Sequence, residues 1–188
     1  MDKFKVINTS IADLLIIEPT VFEDARGFFM EFYNKQIFAE NGLLMDFVQD
    51  NHSKSKQGVL RGLHFQTKHP QGKLVRVIRG SVWDVAVDLR KGSPTFGKWF
   101  GIELNVVNKR MFYIPEGFAH GFITLEDDTE FMYKCTDFYH PEDEMGIYYN
   151  DSDIGIRWPF TEFGICPDQI LLSNKDTKLP TLKEYLSL

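Results

Sequence analysis

Short runs of alternating polar and apolar residues, cut apart every few positions by turn-forming pairs, dominate this chain. In "SVWDVAVDL" (residues 81–89), Trp83, Val85 and Val87 fall on one face and Asp84, Ala86 and Asp88 on the other. A period of two belongs to a strand rather than a helix. The runs "KLVRVIRG", "FGIELN", "RMFYIP", "GFITLE" and "EFMYKCTDFY" are of the same kind, and "DARG", "SKQG", "HPQG", "RKGSP" and "HPEDE" separate such runs. The 17 phenylalanines favour the same assignment, because aromatic side chains suit a half-buried pleated surface. Many short strands joined by tight turns predict an all-β sandwich or barrel. Only "NKQIFAENG" (34–42) has convincing helical spacing, with Gly42 placed to end it, and "PTLKEYLSL" predicts a second short helix. Residues 156–176, broken by Pro159 and Pro167, read as irregular. With no internal repeat and no low-complexity stretch, one domain over residues 1–188 is expected.

A formal net charge of −6 argues against a protein that coats nucleic acid, although a locally basic pocket remains compatible with an anionic substrate. Cys135 and Cys166 lie far apart and form no CxxC, which fits a reducing compartment without a disulfide framework. The opening "MDKFKVINTS" has no apolar leader core, and runs such as "LLII" are too short to span a bilayer. A cytoplasmic protein with no membrane partner is expected.

The chemistry concentrates in "VLRGLHFQ" (59–66), which sets an Arg, a Gly and a His among apolar residues. A lone strand histidine is ordinarily a hydrogen-bonded core residue. Here Arg61 and Lys73 lie near it in sequence, and Gln49 and Asn51 precede it in "VQDN". Buried cations are costly unless something anionic meets them, so this grouping favours a site around His64. A regular strand would put His64 with Leu60, Gly62 and Gln66, and Arg61 with Leu63 and Phe65 on the opposite face. A bulge at Gly62 would bring Arg61 and His64 together.

The second unusual run is "IPEGFAHGF", where Pro115, Gly117 and His120 make a PxGxxH pattern. It resembles the second motif of the cupin superfamily of double-sheet barrels, and it is also compatible with a plain turn before a strand. The paired histidines of the first cupin motif are missing, and the chain has neither HxH nor HExxH. No metal site is therefore expected. His69 and His140 each precede a proline and read as turn residues. Taken singly, Tyr133, Tyr139, Asp176, Arg26 and Glu31 read as ordinary packing or surface residues.

Taken in order, "VFEDARGFFME", "FVQDNHSKSKQGVLRGLHFQ", "PQGKLVRVIRGSVWDVAVDLRKGSPTFGKW", "FYIPEGFAHGF" and "YKCTDFYHPEDE" resemble the dTDP-4-dehydrorhamnose 3,5-epimerases. The resemblance covers residues 5–176. It implies a cupin-like jelly-roll barrel with a few short helices, metal-free and without cofactor. It also implies a homodimer acting in the cytoplasm on a dTDP-linked 4-keto sugar, on the way to dTDP-L-rhamnose for polysaccharide. By the same resemblance His64 is the catalytic base, Tyr133 the acid, Asp176 the carboxylate orienting the base, and Lys73 the cation near the keto oxygen. Substrate contacts fall on Arg26, Glu31, Gln49, Asn51, Arg61, His120 and Glu144. Tyr139 falls where the family stacks on thymine, and Phe22 and Arg26 where it reaches into the neighbouring subunit. Two departures stand out: Trp83 replaces a more usual Phe, and "IYYND" lacks the Trp that often precedes Asn-Asp.

Three rival expectations remain. One is an epimerase of C3 alone, or a ketoisomerase, on another nucleotide-linked 4-keto sugar. Another is a metal-dependent cupin oxygenase, which the absent HxH disfavours. The last is a sugar-nucleotide binding module without catalysis.

Overall fold

Alternating side chains need a buried face, and two sheets facing each other supply it. The structure, a computed structural model, describes residues 3–188. One sheet has six strands in the order β1 (Phe4–Asn8), β2 (Leu15–Pro19), β10 (Met111–Ile114), β7 (Lys73–Arg79), β12 (Thr129–Cys135) and β5 (Gln49–Ser55). The facing sheet has five, in the order β13 (Glu144–Gly146), β6 (Leu60–Gln66), β11 (Phe118–Thr124), β8 (Ser81–Asp88) and β9 (Trp99–Asn105). A separate hairpin joins β3 (Val21–Asp24) to β4 (Gly27–Met30). Pairing is antiparallel throughout both sheets, and the architecture is the expected cupin-like jelly roll.

Three apolar layers hold the sheets in place. Between them lie Val75, Val77, Val82, Ala86, Leu104, Phe112, Phe122 and Phe131. The outer face of the five-stranded sheet, with Leu60, Leu63, Val85, Val87 and Ile123, is covered by Ile154, Ile156, Trp158, Ile165 and Leu182 from the C-terminal segment. The outer face of the six-stranded sheet, with Ile17, Leu74 and Met111, is covered by Phe38 of helix α1 (Lys35–Glu40). Each such Leu, Ile, Phe or Met is worth about 1.5–3 kcal/mol when fully buried. That reserve is large enough for one end of the barrel interior to remain polar.

The helices form where their caps are. Asn34 accepts from the backbone N–H groups of Gln36 and Ile37 to open α1, and Gly42 follows its end at a φ of +78°. Helix α2 (Leu182–Tyr185) is opened by reciprocal bonds between Thr181 and Glu184. Residues 156–176 are irregular, as expected, apart from a short 3₁₀ turn (Pro167–Gln169), a bridge at Leu171 and the start of a second 3₁₀ turn at Asp176.

The regular-strand expectation for β6 is corrected. On β11 His120 and Phe122 are two positions apart, but their partners His64 and Arg61 are three apart on β6. One extra residue therefore sits on β6, and the parity of the strand changes there. Leu60 and Leu63 both pack on the outside with Val85 and Ile123, so Leu60 does not share His64's face. Arg61 and His64 both line the interior. Glycine is required at the bulge. Gly62 has a φ of +118°, and a β-carbon there would lie 2.5 Å from Gly121 Cα and 2.7 Å from the His120 carbonyl oxygen.

Gly62→Ala is therefore expected to lower the unfolding free energy by about 2–4 kcal/mol, from strained φ and backbone overlap together. Urea unfolding measures this, and a loss below about 1 kcal/mol would mean that the two strands part easily at this point.

Candidate active site

The register of each sheet decides what faces the interior. On β12, Tyr133 lies opposite Asn51 of β5 and Val75 of β7, and Cys135 lies opposite Gln49 and Lys73. On the facing sheet, His120 lies opposite His64 of β6 and Ala86 of β8, and Phe122 lies opposite Arg61 and Asp84. Two adjoining hollows of about 310 Å³ each open between these rows and share Asn51, His64, Lys73 and Tyr133. One continues to Gln49, Tyr139 and Glu144, and the other to Arg61, His120, Ser173, Lys175 and Asp176.

His64 is held from outside the barrel. Its Nε2 lies 2.6 Å from Oδ1 of Asp176, at the start of a 3₁₀ turn (Asp176–Lys178). Asp176 is 3% exposed, and the Ser173 hydroxyl donates to its other oxygen at 2.9 Å. Burial pushes the Asp176 carboxyl up, but the hydrogen bond and charge of His64 outweigh this and hold it below its ordinary value. The other ring nitrogen, Nδ1, makes no hydrogen bond among the described residues and has Glu144 Oε1 at 3.9 Å. Glu144 itself accepts from the Tyr139 hydroxyl at 2.5 Å and pairs with Lys175. Burial pushes its carboxyl up, and these two partners, Lys175 first, bring it below the ordinary value.

The opposite wall is harder to ionise. Desolvation pushes the Tyr133 phenol up to about 12, helped by Cys135 and Glu144 and opposed by Arg61. Desolvation also lowers the Lys73 ammonium, against the raising influence of Cys135, Asp84 and Glu144. No hydrogen bond or ion pair engages Lys73 among the described residues, so its ammonium is left for whatever enters the cavity. Tyr139, by contrast, is pushed up to about 12 chiefly by its bond to Glu144.

A second histidine–carboxylate pair sits beside the first. Both oxygens of Asp84 lie 3.0 Å from His120 Nε2, and both side chains are buried. Burial moves Asp84 up and His120 down, while their mutual attraction resists both shifts. Both directions favour the uncharged forms. Arg61 is steered by Ser55 Oγ at 3.1 Å. Gln49 donates to Asn51 Oδ1 at 3.2 Å and accepts from the Tyr139 backbone N–H at 2.9 Å. Among the described residues, no cluster of three or more His, Cys, Asp or Glu side chains is arranged to hold a metal ion.

Of the residues singled out from the sequence, His64, Tyr133, Asp176, Lys73, Gln49, Asn51, Arg61, His120, Tyr139 and Glu144 converge on this cavity. Phe22, Arg26 and Glu31 do not reach it within the chain. Phe22 and Arg26 belong to the projecting hairpin, where Arg26 pairs with Asp24 at 2.6 Å, and Glu31 pairs with Lys3 at 3.2 Å. Sequence reasoning missed Asp84, Ser173 and Lys175. Asp84 had a usable signal, an acid on the inward face of a buried strand. Lys175 and Ser173 had none beyond standing next to Asp176. His69 and His140 do lie in loops, and their rings stack at 4.0 Å.

The comparisons with known proteins point to one family. The family model described as dTDP-4-dehydrorhamnose 3,5-epimerase matches residues 8–184. The dTDP-4-dehydrorhamnose 3,5-epimerase of Methanothermobacter thermautotrophicus is 55% identical over 184 residues, covering 98% of this chain and 97% of the relative. That of Salmonella typhimurium is 56% identical over 183 residues, covering 96% and 97%. The crystal structure of a dTDP-6-deoxy-D-glucose-3,5-epimerase from Legionella pneumophila, in complex with dTDP-4-keto-L-rhamnose, superposes with a TM-score of 0.90 at 50% identity, covering 96% of this chain and 93% of that one. Similarity of this extent, over nearly the whole length of both partners, means that the chain belongs to the dTDP-4-dehydrorhamnose 3,5-epimerase family.

Proposed function

We propose that this chain inverts C3 and C5 of dTDP-4-keto-6-deoxy-D-glucose to give dTDP-4-keto-L-rhamnose, by metal-free removal and return of protons through an enolate. One observation carries the reading: an imidazole backed by a buried carboxylate lines the same cavity as a partly buried phenol and a lysine that has no other partner among the described residues.

The chemistry follows from the substrate. Hydrogens at C3 and C5 are acidified by the C4 ketone between them. Nδ1 of His64 takes one such proton, and the electron pair of the broken C–H bond moves onto the C4 oxygen. Imidazole is a common general base for proton transfers of this kind. Asp176 holds the ring orientation and stabilises the imidazolium that results. Lys73 meets the developing oxyanion, where a preorganised cation in a dry site is most effective. A phenol pushed up to about 12 keeps its proton until an enolate arrives beside it. Tyr133 then delivers that proton from the opposite face, which inverts the carbon. The imidazolium and the tyrosinate return to their starting states by proton exchange with water before the next inversion.

Gln49, Asn51, Arg61, His120 and Glu144 hold the sugar and diphosphate in this reading, and Tyr139 stacks on the thymine ring. Residues 1–188 act as a single cupin-like domain, in the cytoplasm and as a homodimer. The dimer is supported by the hairpin, whose Phe22, Phe28 and Phe29 are 49%, 57% and 70% exposed. Its Arg26 lines a hollow separate from the chain's own cavity, and in this reading Phe22 and Arg26 serve the partner's site.

In D₂O, dTDP-4-keto-6-deoxyglucose should acquire deuterium at both C3 and C5, read by NMR; label at C3 alone would mark a single epimerase. His64→Ala should lower exchange at both carbons by about 10²–10⁴-fold while dTDP still binds, and ready exchange in that variant would remove His64 from the role of base. Tyr133→Phe should allow protons to wash out while inversion falls; equal loss of both would defeat the division of labour. Finally, mixing His64→Ala chains with Arg26→Ala chains should restore about a quarter of the wild-type rate, because each mixed dimer would contain one complete site. No recovery on subunit exchange would show that Arg26 serves its own chain or none.

A further inference from the structure

Gln66 is spent entirely on two neighbouring loops, the one after β6 and the one after β12. It stands two residues after His64 on β6, is 6% exposed, and borders the cavity on the side of Tyr139. Its amide nitrogen donates to the His69 carbonyl at 2.6 Å and to the Phe138 carbonyl at 3.1 Å. Its amide oxygen accepts from the His140 backbone N–H at 2.7 Å. Both of its donor hydrogens are committed, so the amide has little left to offer a substrate. The two contacts at Phe138 and His140 fall immediately on either side of Tyr139.

We propose that Gln66 is the positioning residue for the nucleotide platform, fixing the Tyr139 ring at a set distance from His64 along one strand. A strand advances about 3.3 Å per residue, so the base and the platform's anchor are about 7 Å apart on a single rigid element. The sugar site and the nucleoside site are thereby registered to each other by the backbone of β6. Tyr139 needs such an anchor, because it is 50% exposed. The amide of Tyr139 itself is bound by Gln49, so the loop is held from both sheets. The proposal rests on the reading of Tyr139 as the thymine-stacking residue.

The test is a double-mutant cycle in dTDP affinity, by calorimetry, with KM and kcat for the keto sugar measured alongside. Gln66→Met conserves length and removes all three hydrogen bonds. It should weaken dTDP binding by about tenfold, within the range a lost base–aromatic stack spans, and raise KM far more than it lowers kcat. In a Tyr139→Ala background the same change should cost nothing further. Gln66→Asn, which keeps the amide but is one methylene shorter, should fall between wild type and Met; it carries the test if the Met variant does not fold. If Tyr139→Ala leaves dTDP affinity intact, the stacking role fails. If Tyr139→Ala weakens binding but the Gln66 variants bind as wild type, or if the losses add in the double variant, the positioning role of Gln66 is overturned.

Discussion

The close approach of two backbones at Gly62 and Gly121 is what the remainder of the site depends on. A side chain on either residue would collide with the other strand. Because they can touch, β6 accommodates one extra residue against β11, and Arg61 and His64 turn to the same side. Without that shift a regular pleat would send one of them into the outer apolar layer beside Leu60 and Leu63. The polar interior is thus a property of backbone packing first and of side-chain choice second.

Keeping polar groups in a barrel interior is expensive, and the chain meets the cost by pairing almost all of them. Asp176 binds His64, Asp84 binds His120, Glu144 binds Tyr139 and Lys175, and Arg61 leans on Ser55. Among the described residues, Lys73 is left out of this pattern. An unpaired ammonium within a satisfied network is a standing vacancy for negative charge, which the enolate of the proposed reaction fills.

Much of the barrel could be read directly from period-two runs, since one buried face imposes strict alternation. The tryptophan face of β8 was legible for this reason, with Trp83, Val85 and Val87 outside and Ala86 inside. His64 and His120 were visible as isolated imidazoles in apolar strands, but their adjacency was not, because pairing of β6 with β11 joins residues far apart in the chain. The partnership of His64 with Asp176 came from family resemblance rather than from spacing, as 112 residues separate them. Lys175 was hidden for a related reason. It lies in a stretch with no periodicity, where only tertiary contacts say which way a side chain points. The hairpin's phenylalanines project from the chain, and nothing in their spacing could say so, because a sequence does not tell whose core a side chain belongs to.

The segment that supplies Asp176 differs in kind from the sheets it serves. Residues 156–176 form almost no ladder and are pinned to the outer face of the five-stranded sheet by apolar plugs such as Trp158 and Ile165. Local opening is easiest where backbone bonds are few. On warming, the wrapping would peel while the strands beneath it remain registered, and the imidazole would lose its carboxylate in a molecule that is otherwise native. Thermal inactivation of such an enzyme is then a matter of unwrapping, and stapling the tail to the barrel would extend its working range without touching a single group inside.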